Sequence, residues 1–337
     1  IKHPRTKYFI FLKSLKKSKI IKSNKLCAIY DLSVNPVTFD FLEFLICAEM
    51  HRIVYKFKSI EVLIIAGFYQ GLRKENEDYE KIINYDKRIW RIYNILIPCT
   101  TFFKSISSIS LKFDRNEIYK ILQNQTDGSI YPINYNPSLP KRHNDGIWLD
   151  YYKIINKVPC LESLNSSKTY VDDWLKNNIT NKKIITITLR MYGFRIKRNS
   201  NLDAWIKFAN AIDKNKYAVV FIPDTESVMS LDKRIFKDFY LFTEACWNLN
   251  LRLSMMEKSY LNFFISGITH LCTFTKNPYI YIKCLTEEYF SEEFEKKNGY
   301  IKNEKPDYAL NNQYWIWEDD TYENIMKSFI NFEKNHG

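Results

Sequence analysis

Four stretches of this 337-residue chain gather side chains able to do chemistry. The densest is Ser266-Gly267-Ile268-Thr269-His270, inside NFFISGITHLCTF. After an apolar run, such a turn can bind an anion. Glycine permits close backbone approach, the first N–H groups of a helix point outward, and Ser266, Thr269 and His270 can add hydrogen bonds. The same residues also suit a capped helix start with His270 as a satisfied interior histidine. TLRMYGFRIKRNSN carries Arg190, Arg195, Lys197 and Arg198. Guanidinium groups form bidentate bonds to phosphate oxygens, so this loop can grip a diphosphate; the alternative is a solvated basic loop. FIPDTE places Asp224, Thr225 and Glu226 where carboxylates can bond a ribose or base, or order a turn. DLSVNPVTFD supplies Asp31 and Asp40, either of which can act as general base toward a hydroxyl. Asp40 also reads as a helix N-cap, with Glu43 three residues on.

These groups need elements to hold them, and the hydrophobic pattern provides strands and helices in alternation. KLCAIYDLS, EVLIIAGF and SSISLKF read as strands, and FLEFLICAEMHRI and DKRIWRIYNILIPCTTFF as helices, the second ended or kinked by Pro98. The Asn-, Pro- and Asp-rich run from Gln123 to Gly146 reads as a long surface loop, followed by two helical segments up to Ile179. Alternation resumes with KKIITITLR, NLDAWIKFANAI, YAVVFIPDTE, a mostly helical span from Phe236 to Ser259, then LNFFIS, YIYIKC and a C-terminal helix, TYENIMKSFINFEK. The aromatics Tyr314 to Trp317 suit either stacking on a sugar or base, or closure of a core. The fold class expected is α/β, with two Rossmann-like domains over residues 1–170 and 171–337 facing across a cleft, and a C-terminal helix able to cross back to the first.

Composition narrows the classes. At 46% hydrophobic residues, the chain can bury a sizeable core. Its formal net charge of +12 suits an anionic partner or reflects an AT-rich coding bias. Seven dispersed cysteines with no CxxC spacing read as free thiols in a reducing compartment. Five histidines are too few for a histidine-rich metal site, and P-loop, GxGxxG, HExxH, GxSxG and DxD motifs are absent. No metal and no cofactor are therefore expected. No apolar run approaches the roughly 18 residues needed to span a bilayer. The expectation is a soluble, cytoplasmic protein whose basic N-terminal stretch can dock on the inner face of a membrane. Because the chain starts at Ile1, an upstream domain or anchor is allowed for.

The strand-turn-helix SGITHL resembles the D-S/T-G-x-x-H-L-A element of bacterial heptosyltransferases, which are GT-B-type glycosyltransferases. ITITLR…RNSN, FIPDTE, ACWNLNLR and YWIWEDD resemble glycosyltransferase-like proteins of bacterial surface-polysaccharide loci. The likeness covers mostly Ile184 to Phe332. Two departures stand out: Ile265 precedes Ser-Gly in place of an acidic residue, and Cys272-Thr273 follow His-Leu. The resemblance implies metal-independent, inverting transfer of a sugar from a nucleoside-diphosphate sugar to a glycan or lipid-linked acceptor. Arg190, Arg198, Ser266, Gly267, Thr269 and His270 would hold the diphosphate, Asp224 and Glu226 the nucleoside, and Asp40 or Asp31 would be the base. Residues 1–170 become the acceptor side and 171–337 the nucleotide-sugar side. A nucleotide-sugar epimerase of the same layout, or a basic nucleic-acid-binding protein, are the alternatives.

Overall fold

A computed structural model describes residues 24–123, 128–143, 146–286 and 291–337. The basic stretch before Asn24 lies outside the described residues. The chain divides into two compact units, one ending at Pro159 and the other running from Cys160 to Gly337.

The first unit runs β1 (Lys25–Asp31), α1 (Asp40–Tyr55), β2 (Ser59–Ile65), α2 (Glu77–Ile82), α3 (Tyr85–Arg91), α4 (Ile97–Thr100), β3 (Ile106–Lys112), α5 (Arg115–Gln123), β4 (Ile130–Tyr131) and α6 (Trp148–Ile155). Its sheet has the order β3-β2-β1-β4, and every pairing is parallel. β1 is central and buried from Leu26 onward, which is why it reads as a continuous apolar run rather than an alternating one. β4 pairs only two residues with β1, too short to leave a period in its Asn- and Pro-rich surroundings.

Helix α1 is buried nearly all round, with Phe41, Leu42, Phe44, Leu45 and Ile46 fully inside. Its N-cap is Phe39, with no side-chain cap bond, so Asp40 is the first helical residue and not the cap. Glu43 does not close a capping box either: its carboxylate accepts the Gly146 N–H. The helix ends at Lys56, whose left-handed φ of 62° lets its N–H return to Arg52 and Ile53. Between α3 and α4 the chain takes a π-helical turn over Ile92–Leu96. Pro98 has no N–H to give the carbonyl of Asn94, and the bulge lets the Ile97 N–H reach Ile92 instead.

The second unit runs α7 (Asn165–Asn178), β5 (Lys183–Thr188), α8 (Leu202–Ala211), β6 (Tyr217–Ile222), β7 (Tyr240–Leu241), α9 (Leu249–Lys258), β8 (Leu261–Phe264), α10 (Thr269–Thr273), β9 (Tyr279–Ile282), α11 (Glu292–Lys297), β10 (Gln313–Ile316) and α12 (Tyr322–His336). Six parallel strands lie in the order β10-β9-β8-β5-β6-β7. The boundary placed at residue 170 from the sequence falls inside α7, which packs in this unit through Val171 and through Lys258–Asp172 and Lys168–Glu257 pairs.

One expectation changes here. The span from Phe236 to Ser259 becomes α-helical only at Leu249, where the Asn248 side chain accepts N–H bonds from Asn250 and Leu251. Upstream, sheet pairing and packing win: the Phe242 N–H bonds Phe221, and Phe236 and Phe239 lie edge-on to the Phe221 ring. The C-terminal helix α12 is used within the second unit, where Ile325, Phe329 and Phe332 enter the core beside Phe208, Tyr217 and Phe263. Each such aromatic contributes about 2–3 kcal/mol when fully buried, which fixes the helix there. The aromatics of YWIW form β10 and a small core, with Trp315 stacked on Tyr300 and edge-on to Tyr281.

Candidate functional site at the carboxyl edge of the second sheet

In the second sheet, β5 is followed by β6 and β7 on one side, while β8, β9 and β10 lie on the other. The loops after β5 and β8 therefore diverge, and open parallel sheets bind ligands at such a switch in strand order. Arg190 and its basic loop follow β5; Ser266 and Gly267 follow β8.

The Arg190 guanidinium turns inward. It donates to the Phe194 carbonyl at 2.6 Å, to the Arg195 carbonyl at 3.2 Å and to Asn199 Oδ1. Burial lowers its pKa, with the Asp224 charge opposing. Asn199 closes the same loop on Tyr192 in both directions, and Ser200 Oγ accepts the Arg190 N–H at 2.9 Å. Arg190 thus shapes the loop that carries Arg195, Lys197 and Arg198. From that loop Arg198 Nε donates to Ser266 Oγ at 3.0 Å, joining the ends of β5 and β8. Gly267 is exposed and has a φ of 126°, a conformation that L side chains rarely adopt.

The helix after this turn is short. α10 holds five residues, its N-cap is Ile268, and no side chain caps it. Its dipole is correspondingly small, so positive charge at this edge comes mainly from the arginines and lysine of the β5 loop. Burial pushes the pKa of the Tyr281 hydroxyl on β9 well up, with Thr269 among the groups opposing the rise. His270 lies half-buried, its ring edge-on to Phe274 with centroids 6.0 Å apart.

Asp224 sits one strand over, after β6. It accepts N–H bonds from Met191 at 3.3 Å and Glu226 at 3.1 Å, so it orders the turn and ties it to the β5 loop. Burial raises its carboxyl pKa, while those bonds and Arg252 and Arg190 oppose the rise. Glu226 is exposed. The structure therefore brings Arg190, Arg198, Ser266 and Gly267 together, puts Thr269 and His270 on the next turn, and places Asp224 and Glu226 on the flank.

Two functional supports escaped the sequence reading. Lys283, after β9, has a left-handed φ of 62° and reaches the Asn199 carbonyl at 3.2 Å and Asp320 Oδ1 at 3.1 Å. Asp320, after β10, also accepts the Asn201 N–H at 2.7 Å and Trp205 Nε1 at 2.9 Å. This buried pair clamps the basic loop to the far strands. Its signal was the EDD after YWIW, but which carboxylate turns inward depends on the register of β10.

In the first unit, Asp31 ends β1 and is 1% exposed. Arg115 grips both oxygens at 2.7 and 2.8 Å, the Tyr135 hydroxyl donates at 2.6 Å, and Ser33 donates from its N–H and its hydroxyl. Burial alone would raise its pKa; the bonds from Arg115, Tyr135 and Ser33 outweigh that and hold it low. A carboxylate so fully engaged is a poor proton acceptor, which weighs against Asp31 as base. Asp40 is half-exposed at the start of α1 and pairs with Arg142 at 3.2 Å.

A surface cavity of about 290 Å³ lies at the opposite edge of the second sheet, lined by Lys182, Lys214, Tyr217, Lys237 and Phe239, and includes none of these residues. Among the described residues, no helix is long and apolar enough to cross a membrane.

No family model and no curated protein sequence matches the chain. Solved structures do match over nearly its whole length. A glycosyl transferase family 9 structure from Veillonella parvula aligns with a TM-score of 0.54 at 10% identity, covering 95% of this chain and 99% of its own. The E. coli ADP-heptose LPS heptosyltransferase II aligns with a TM-score of 0.51 at 11% identity, covering 92% and 99%. In fold, this two-sheet α/β chain is similar to these glycosyltransferases.

Proposed function

We propose that the protein is a glycosyltransferase that moves a sugar from a nucleoside-diphosphate sugar to a glycan or lipid-linked acceptor, without a metal, in surface-polysaccharide biosynthesis. The observation that carries the reading is the Arg198–Ser266 bond, which closes a cationic loop over a glycine turn at the switch in strand order. The acceptor hydroxyl attacks the anomeric carbon from the face opposite the diphosphate. The bond from that carbon to the phosphate oxygen breaks, and the configuration inverts. Negative charge then grows on the leaving diphosphate. Arg198, with Arg195, Lys197 and the N–H groups after Gly267, supplies fixed positive charge where it develops, the role a metal ion would otherwise fill. His270 adds a hydrogen bond to a phosphate oxygen, and Arg190 acts through the loop it shapes. Asp224 and Glu226 flank the nucleoside. On the acceptor side, Asp40 takes the hydroxyl proton, because the Asp31 lone pairs are already committed.

The test is a thermal-shift panel of nucleoside diphosphates and their sugars on wild type, Arg198→Ala and His270→Ala. One base type is expected to raise the wild-type melting midpoint. Arg198→Ala should weaken that nucleotide by roughly 10- to 100-fold, the value of one charge-assisted hydrogen bond, and His270→Ala should weaken it less. A wild-type midpoint unmoved by every nucleotide sinks the donor assignment. Turnover of the donor with no acceptor present points to epimerisation instead.

A further inference from the structure

We infer that Glu43, Cys47 and His143, in the first unit, form a site for one zinc ion. Glu43 and Cys47 stand four residues apart on α1 and so share a face, and His143 comes from the loop after β4. Their ligand atoms all lie within 4.8 Å of one another. All three are buried: Glu43 is 3% exposed, Cys47 0% and His143 7%.

The donor set selects the ion. Carboxylate, thiolate and imidazole together suit zinc, whose bonds of about 2.0–2.3 Å place tetrahedral ligand atoms about 3.5 Å apart. Small side-chain adjustments reach that spacing from the present one. Charge favours the same ion. One carboxylate and one thiolate neutralise a divalent cation, so the filled site carries no net charge in a region where unbalanced charge is costly. Binding moves one proton from Cys47 Sγ to solvent, and the sulfur lone pair then forms the metal bond. No oxidation or reduction takes place.

Outer contacts already orient two of the ligands, as metal sites require. The Gly146 N–H donates to the Glu43 carboxylate. The Tyr131 hydroxyl lies 3.4 Å from His143 Nδ1, the Phe44 ring meets the imidazole edge-on at 5.7 Å, and the His143 N–H is held by Asn35 Oδ1 at 2.8 Å. One turn further along α1, His51 already bonds the Tyr151 hydroxyl at 2.8 Å and the Gly128 carbonyl at 2.7 Å. The ion would be a second clip, fixing the loop between β4 and α6 onto the same helix face. Three side chains leave a fourth position for water. Scarce histidines argue against a histidine-rich site, but not against this mixed one.

The inference is independent of the sugar-transfer reading. The full chain is stripped with a chelator, titrated with Zn²⁺ or Co²⁺, and freed of unbound metal by gel filtration. We expect about one equivalent of zinc per chain, a higher melting midpoint, and a near-ultraviolet thiolate-to-cobalt absorption. Cys47→Ser should abolish that absorption, whereas Cys99→Ser, a buried thiol elsewhere in the unit, should keep it. His143→Gln should weaken zinc by more than about 100-fold, beyond what loss of an outer partner costs. Wild-type protein that retains no zinc and shows no cobalt band overturns the inference, and this result needs no folded variant. A band that persists in Cys47→Ser overturns it as well.

Discussion

The carboxyl edge of the first sheet is tied by a buried carboxylate–guanidinium pair, whereas that of the second is tied by a guanidinium bonded to neutral oxygens. In the first, Asp31 is bound by Arg115, Tyr135 and Ser33, so the cation and the anion consume one another. In the second, Arg190 spends its bonds on two loop carbonyls and Asn199 rather than on a carboxylate. Lys283 is paired with Asp320, and the Asp224 carboxylate faces N–H groups more than cations. Both edges are well hydrogen-bonded, so bonding alone does not mark a site. The kind of acceptor separates them. The knot of the first edge holds its loops through opposite charges, and the Arg190 loop of the second is held through its own carbonyls.

The largest test of this contrast is Asp31→Asn, which leaves Arg115 without its carboxylate. Urea unfolding should show a loss of about 3–5 kcal/mol, the usual cost of breaking a buried pair from one side. The folded-state pKa of Asp31 is depressed, so its stabilisation is complete above the unfolded carboxylate value near 3.9 and is lost as pH falls through the folded value. Wild type should therefore lose this increment on acidification, and Asp31→Asn should lack it. An unchanged acid profile in the variant would mean that the knot is not the anchor described.

Next in size is Asp320→Asn, which strands Lys283 and weakens the bonds to Asn201 and Trp205; about 3 kcal/mol of stability should go. Nucleotide affinity should fall as well, although Asp320 is placed in no ligand contact. If affinity holds while stability drops, the clamp does not shape the basic loop. Gly267→Ala should cost about 1 kcal/mol through backbone strain, readable as a drop in the melting midpoint. The smallest effect belongs to Asp224→Asn, with the opposite pH sign. The folded pKa of Asp224 is raised, so wild-type stability declines as pH rises from the unfolded carboxylate value to the folded one. The variant should lack that decline, and a profile identical to wild type removes the assigned burial effect.

Much of the fold was legible because buried parallel strands are continuous apolar runs, as in Leu26–Tyr30 and Tyr217–Ile222, and because α8 and α12 carry helical apolar spacing. Short strands were not legible. β4 and β7 pair two residues each, and their partners lie about 100 and 20 residues away in the chain. Local sequence cannot show such pairing. Of the candidate site, residue types were legible and orientations were not. Nothing in TLRMYGFRIKRNSN distinguishes Arg190, which turns into the loop, from Arg198, which reaches Ser266.

The sequence by itself determined the α/β alternation, the apolar strands and which polar residues follow them, because burial period and strand ends are local properties. Tertiary structure alone decided strand order, and with it the meeting of Arg198 and Ser266 across 68 residues of chain. It also decided that Asp31 is a saturated anchor, since Arg115 and Tyr135 lie 84 and 104 residues away. Those outcomes depend on long-range packing, where the energy of the whole core selects one arrangement of loops that local propensity leaves open.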